Sequence, residues 1–134
     1  MEKRRLKQLS MKLKAVQDPT RLKILMLLSR RPLCVCVITA VMRLAQPTIS
    51  RHLSLLEGAG FIEKTKKGRM VIYQLHPVDD LAQALLALAT DEISDDPEIK
   101  ALLGRVDQVE GAIRRNTTGD SQLPTTEGGV KALN

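Results

Sequence analysis

Two cysteines, Cys34 and Cys36, are the residues of this chain whose types and spacing best suit chemistry. They are the only cysteines among the 134 residues. A single Cys-x-Cys pair indicates free thiols or a metal site rather than a disulfide framework. Thiolates bind soft ions, and a position near a helix N-terminus favours the thiolate form. The pair therefore predicts a site for a thiophilic ion, whereas the alternative is two buried, inert apolar side chains.

We expect Cys34 and Cys36 to lie in one helix, and their spacing then has a consequence. Side chains at i and i+2 of a regular helix point about 200° apart, on opposite faces. One ion could then bind both sulfurs only if the start of this helix unwound or bent. We expect such a ligand to select a second backbone state and to misplace the helix that follows.

The second group of functional side chains lies on a helix predicted for residues 45–56. Pro47 suits the first turn of a helix, and Ile49, Leu53 and Leu56 recur at helical spacing as one apolar stripe. Periodicity alone equally allows an ordinary amphipathic surface helix. The other side chains carry groups that suit phosphates and base edges. We expect DNA contacts from Gln46, Thr48, Ser50, Arg51 and His52.

The neighbouring elements favour a DNA-reading helix. A short apolar helix at residues 36–44 precedes it, which gives helix-turn-helix spacing. Two strands, at residues 61–65 and 70–75, follow it and form a hairpin with a glycine turn. We call this hairpin the wing, and expect Lys66, Lys67 and Arg69 at its tip to lie along phosphates or in the minor groove. The predicted fold is mainly α with a small β-hairpin, a winged helix-turn-helix.

The charge distribution indicates a nucleic-acid partner. Residues 1–76 contain 16 Lys and Arg against 4 Asp and Glu, whereas residues 77–134 contain 5 against 11. A strongly basic half that holds the predicted reading helix and wing matches a double-stranded DNA footprint. The chain has one Phe and one Tyr. So few aromatic rings disfavour RNA or single-stranded DNA, whose bases stack on such platforms.

The rest of the chain is predicted to extend this domain. Apolar stripes on helices at residues 3–17 and 77–91 predict a dimer about a two-fold axis, which a small core also favours.

No apolar run is long enough for a membrane span and no apolar signal core follows the basic N-terminus, so we expect a cytoplasmic protein without a membrane partner. The predicted divisions are a DNA-binding and dimerisation domain at 1–95, an appended helix at 96–115 and a disordered tail at 116–134.

The order of these elements and three motifs resembles the ArsR/SmtB family of bacterial metalloregulatory repressors, in its arsenical-resistance branch. The motifs are DPTR at residues 18–21, LCVC at 33–36 and QPTISRHL at 46–53. The resemblance implies a homodimer, with its first and last helices at the interface, that represses a resistance operon until an inducer binds. It implies As(III) or Sb(III) as the inducer at Cys34 and Cys36, with no organic cofactor and no enzymatic activity.

The chain departs from that branch around the cysteines. Pro32 and Val37 stand where the branch usually has acidic residues, and Thr39 stands where some members have a third cysteine. As(III) prefers three sulfur ligands, so the third could come from a small cellular thiol or from the partner subunit. Members that sense Zn(II) carry Asp and His ligands on the helix after the wing, but residues 77–92 contain no His.

Two alternative functions remain open at this point. The same fold could sense Cd, Pb or Cu, or the oxidation of its thiols. A thiol enzyme such as an arsenate reductase would need an anion-binding loop and a general acid beside its cysteine. We find neither a glycine-rich loop nor a nearby His, so the sequence predicts no catalytic residues.

Overall fold

The computed structural model describes the backbone from Glu2 to Gln122 and the side chains of residues 4–116. This part of the chain is mainly helical and contains one small sheet. The elements, in chain order, are α1 Glu2–Val16, α2 Pro19–Leu28, β1 Leu33–Cys34, α3 Val35–Met42, α4 Gln46–Gly58, β2 Ile62–Lys67, β3 Met70–Leu75, α5 Asp80–Ile93 and α6 Pro97–Gln122.

Aspartate side chains begin three of the helices. Asp18 Oδ2 accepts a hydrogen bond from the Arg21 backbone N–H at 3.0 Å, and Pro19 occupies the first turn of α2. Asp79 and Asp96 cap α5 and α6 in the same way. Each cap satisfies a backbone donor that has no partner within the helix and contributes about 1 kcal/mol. The predicted start of α2 at the Asp-Pro pair is confirmed.

Helix α2 forms the centre of the hydrophobic core. All of its last five residues, from Ile24 to Leu28, are buried. A helix that is apolar on every side must be covered on every side, and α1, α4, α5, α6 and β3 all contact α2. The predicted stripe of Ile49, Leu53 and Leu56 on α4 is fully buried in the same cluster.

The sheet has three antiparallel strands in the order β1-β3-β2, one more than predicted. The wing strands β2 and β3 pair from Ile62–Leu75 to Lys67–Met70. Strand β1 pairs with the other edge of β3, where Leu33 lies opposite Tyr73 and Cys34 opposite Ile72. The expectation that Cys34 is helical was therefore wrong. Strand pairing between distant parts of the chain holds this segment extended, and local periodicity does not report such pairing.

Two glycines make the turns on either side of β2. Gly60 has φ 88°, and a Cβ there would lie 2.5 Å from Val78 Cγ2, so only glycine fits. Gly68, at the tip of the wing, has φ 59°. Between α3 and α4 the left-handed residue is Arg43, with φ 59°, which is uncommon for a side chain with a Cβ.

Helix α6 packs against α2 and α3. Ile99, Leu102 and Val106 of α6 are buried there. Arg105 Nη2 donates to the Val41 carbonyl oxygen at 3.0 Å. The helix continues to Gln122, beyond the predicted boundary at residue 115, and the remainder of the predicted tail, 123–134, lies outside the described residues.

Arg31 ties α6 to the segment before β1. Its guanidinium donates to Asp107 at 2.8 Å and to Glu110. These hydrogen bonds raise the pKa of Arg31 above its ordinary value, and the one to Asp107 contributes most.

No helix in the described part of the chain is both long enough and apolar enough to cross a membrane.

Candidate nucleic-acid interface and cysteine site

The cysteine pair lies where β1 becomes α3. Cys34 has extended backbone angles, φ −75° and ψ 157°, and is the N-cap of α3. Its Sγ accepts a hydrogen bond from the Val37 backbone N–H at 3.4 Å, within the limit for sulfur. Cys36 is the second residue of α3. Cys34 is buried, whereas Cys36 is exposed.

The two sulfurs lie together instead of on opposite faces. Cys34 and Cys36 are joined as a disulfide, with their Cα atoms 5.3 Å apart. The expectations of free thiols and of opposed side chains were both wrong. The 100° step per residue of a helix does not apply between Cys34, which is extended, and Cys36. The backbone at this corner therefore holds the two sulfurs beside each other.

The described residues supply two sulfur ligands at this corner and no larger cluster. No group of three or more His, Cys, Asp and Glu side chains that could hold a metal ion occurs within the described region. Thr39 stands one helical turn after Cys36, and its buried hydroxyl has no hydrogen-bond partner among the described atoms. A third ligand for an ion on Cys34 and Cys36 has to come from elsewhere.

The predicted reading helix α4 presents its polar side chains away from the core. Arg51 is exposed and lies opposite the buried stripe on the helix, which is the most outward position. Gln46 is exposed in the first turn, and Thr48 and Ser50 are half-buried on either flank. The polar end of α4 is thus its N-terminal half, which is the end that enters the groove in helix-turn-helix motifs.

His52 has a partner that the sequence did not reveal. Arg21 Nη1 lies 3.1 Å from His52 Nδ1. The same guanidinium donates through Nε to the Ala15 carbonyl at 2.7 Å and through Nη2 to the Lys14 carbonyl at 3.0 Å. Arg21 therefore joins the end of α1, the start of α2 and the middle of α4. Its position in the DPTR segment was noted as a motif, but spacing alone gives no sign of a contact with His52.

The wing carries its basic side chains at its outer end. Lys66 and Lys67 close β2, Arg69 follows Gly68 in the turn, and all three side chains are exposed. Arg and Lys side chains on a protruding hairpin can reach phosphates on the duplex that α4 would read. The predicted basic tip is present in the structure, and its contact with DNA stays a prediction.

Known proteins share these features. The profile of the family "Bacterial regulatory protein, arsR family" matches residues 18–64. The arsenical resistance operon repressor of Escherichia coli is 36% identical over 112 residues, which cover 81% of this chain and 88% of that protein. The arsenic resistance transcriptional regulator ArsR1 of Pseudomonas putida is 45% identical over 65 residues, 48% of this chain and about half (51%) of that regulator.

Solved structures agree with the fold. HlyU from Vibrio cholerae superposes with a TM-score of 0.61 at 27% identity, over 71% of this chain and 100% of HlyU. The homodimeric winged helix-turn-helix domain Mb0332 of Mycobacterium bovis has a TM-score of 0.61 at 24% identity, over 70% and 85% of the two chains, and supports the fold. Motif, fold and a relative matched over most of its length agree: the chain belongs to the ArsR family and is a DNA-binding transcriptional repressor, not an enzyme.

Proposed function

We propose that this repressor binds double-stranded operator DNA as a homodimer and releases it when As(III) or Sb(III) binds Cys34 and Cys36. In this proposal α4 reads base edges with Arg51, His52 and their polar neighbours, and the wing holds phosphates. The regulated genes would form a resistance operon. Relatives named as arsenical resistance operon repressors, from Escherichia coli and Staphylococcus xylosus, support this choice of inducer.

One observation carries the proposal, namely the position of Cys34 between the wing strand β3 and helix α3. On one side it pairs with Ile72 in the wing strand β3. On the other side its sulfur caps α3 through the Val37 N–H. Helix α3 contacts α4, so its placement helps to set the angle of the reading helix. An ion that takes the Cys34 sulfur as a ligand competes with the cap and moves the start of α3 relative to the wing.

Trivalent arsenic needs one more sulfur ligand than this chain supplies at the site. Thiolates are the preferred ligands of thiophilic ions, and trivalent arsenic forms three bonds. The chain supplies Cys34 and Cys36, and we propose a small thiol as the third ligand. Because the disulfide occupies both sulfurs, the inducer binds only the reduced protein.

The test follows DNA release by fluorescence anisotropy. The reduced protein first selects its own site from a random-sequence duplex library. Arsenite should then release the labelled site from wild type, while Cys34→Ser and Cys36→Ser should still bind it but fail to release. A double Cys→Ser variant that releases as well as wild type would show that the sensor lies elsewhere.

A second candidate function, thiol oxidation as the signal, is favoured by the disulfide itself. In that case the Cys34–Cys36 bond would change operator affinity without any metalloid. Anisotropy titrations of the oxidised and the reduced protein against the same duplex separate the two functions. Equal affinities of both forms exclude oxidation as the signal and leave arsenite as the inducer to be tested.

A further inference from the structure

A cavity of about 440 Å³ lies directly beside the cysteine pair. Cys34 and Cys36 form part of one wall. Strand β3 of the wing contributes Ile72, and α6 contributes Ile113 and Arg114. The volume falls within the range of small-molecule sites, which is far more than a single arsenic atom needs. The cavity therefore has room for an organic group attached to an ion on the two sulfurs.

The charges around this cavity favour an anion. Lys67 lines it from the wing and Arg114 from α6, and both side chains are exposed. Among the described residues neither cation has an ion-pair partner. The one carboxylate in the lining, Glu110, is held by Arg31. These two cations thus line the same cavity as the sulfurs, together with apolar side chains such as Val37 and Ile72.

We propose that the third arsenic ligand is a small thiol that carries carboxylate groups, seated in this cavity with its carboxylates on Lys67 and Arg114. This inference rests on the proposed function, since it names the partner of the same site. Arginine and lysine are the usual partners of carboxylates, and Arg binds them with two parallel hydrogen bonds. The apolar wall accommodates the carbon chain between thiol and carboxylate.

The binding step balances without any change of oxidation state. Arsenous acid, As(OH)₃, exchanges its three As–O bonds for three As–S bonds, to Cys34, Cys36 and the small thiol. The three thiol protons leave with the three hydroxide groups as three molecules of water. Before this step, two molecules of the same thiol reduce the Cys34–Cys36 disulfide and leave as their own disulfide.

The experiment compares two monothiols of similar size, one with a carboxylate and one without. Full-length reduced protein, freed of reductant, is titrated with arsenite off DNA, and thiolate–arsenic absorbance reports binding. The titration is run with 3-mercaptopropionate, with 2-mercaptoethanol and with neither. We expect apparent affinity to be about fivefold higher with 3-mercaptopropionate than with 2-mercaptoethanol, the size expected of partly exposed ion pairs.

Variants assign that preference to the cavity. Arg114→Ala should reduce the ratio of the two affinities, and Lys67→Ala/Arg114→Ala should bring it close to one. Arg115→Ala is the matched control, because Arg115 is the adjacent exposed arginine and does not line the cavity; it should keep the wild-type ratio. Circular dichroism checks that each variant is folded.

The outcomes separate this inference from the proposed function. Two results overturn the anionic-thiol site while the arsenite sensor stands. One is equal arsenite affinity with the two monothiols, and the other is full arsenite affinity when no monothiol is added. In the second case a sulfur of a second copy would supply the third ligand. Absence of arsenite binding under all three conditions overturns the proposed function, and this inference with it.

Discussion

Arg21 contacts the ring of His52 through Nδ1. A guanidinium has donors only, so the ring nitrogen 3.1 Å from Arg21 Nη1 must accept. With Nδ1 as the acceptor in this contact, Nε2 is the ring nitrogen left to act as a donor. The half-buried imidazole would therefore present a donor on its other nitrogen, which suits a phosphate oxygen or a base acceptor.

We expect Arg21→Ala to weaken operator binding by about 1–3 kcal/mol, because a charge-assisted link between α1, α2 and α4 is lost. The nitrogen-15 chemical shifts of the His52 ring should report one dominant tautomer in wild type and a mixture of both tautomers in the variant. Arg30→Ala, at an exposed site just after α2, is the control. An unaltered tautomer in Arg21→Ala would show that Arg21 does not orient His52.

The sequence was sufficient to identify the cysteines as sensor candidates, but the prediction that their side chains point to opposite faces of a helix was wrong. Residue types and spacing are sufficient to find a thiol pair. Whether two sulfurs meet depends on the backbone at Cys34, which pairing with Ile72 holds extended. That partner lies in the wing, far along the chain, so no local pattern contains the information. The same reason hid the contact between Arg21 and His52.

The wing should act through charge rather than base recognition. Lys66 is exposed at the end of β2, within reach of a phosphate if α4 lies in the groove. Lys66→Ala should weaken binding to all duplex sequences alike and lower the salt slope by about one unit. The measurement is affinity against salt concentration for selected and random duplexes. A loss confined to the selected duplex would instead make Lys66 a base-reading residue.

Helix α6 should stabilise the helix-turn-helix unit, because its buried side chains pack on α2 and α3. Leu102 is 3% exposed. Leu102→Ala should lower the free energy of unfolding by about 2–5 kcal/mol through lost burial and a cavity. Urea unfolding followed by circular dichroism measures this, with the exposed Lys100→Ala as control. If Leu102→Ala unfolds at the same urea concentration as wild type, α6 is not part of the cooperative core.

Element types and most boundaries followed from periodicity and capping residues. Helix α4 was expected at 45–56 and spans Gln46–Gly58, and the wing strands differ by at most two residues from those predicted. The two-residue strand β1 is too short to leave a periodic pattern. The packing of α6 on α2 and α3 was not predicted either, because the sequence of a helix can show which side is buried but not which neighbour covers it.

Helices α1 and α5 leave large apolar side chains uncovered. Leu6 of α1 is 70% exposed and Leu88 of α5 is 68% exposed, with Leu9, Leu13 and Leu81 also exposed. Rows of large apolar side chains left exposed on two helices of a small domain are typical of an association interface. It agrees with the predicted pairing of these helices across a two-fold axis.

Leu88→Glu should convert the dimer to a monomer, because it places a charge in an apolar interface. Operator affinity should fall by about a hundredfold or more as the second half-site contact is lost. Sedimentation velocity and anisotropy measure the two effects. Gln83→Glu adds the same charge to an exposed position on the same helix and should change neither. A wild-type monomer at micromolar concentration would contradict the dimer.

The pairing of β1 with β3 has a consequence for how repression ends. Cys34 belongs to the same three-stranded sheet as the basic tip of the wing. If the wing contacts the DNA backbone as proposed, an ion that binds the Cys34 sulfur should also move the basic tip of the wing, independently of any movement of α4. Within one protomer we expect release to be all-or-none, without a state that has lost base contacts but kept the wing on phosphate. Sequence preference and salt sensitivity should therefore vanish at the same arsenite concentration.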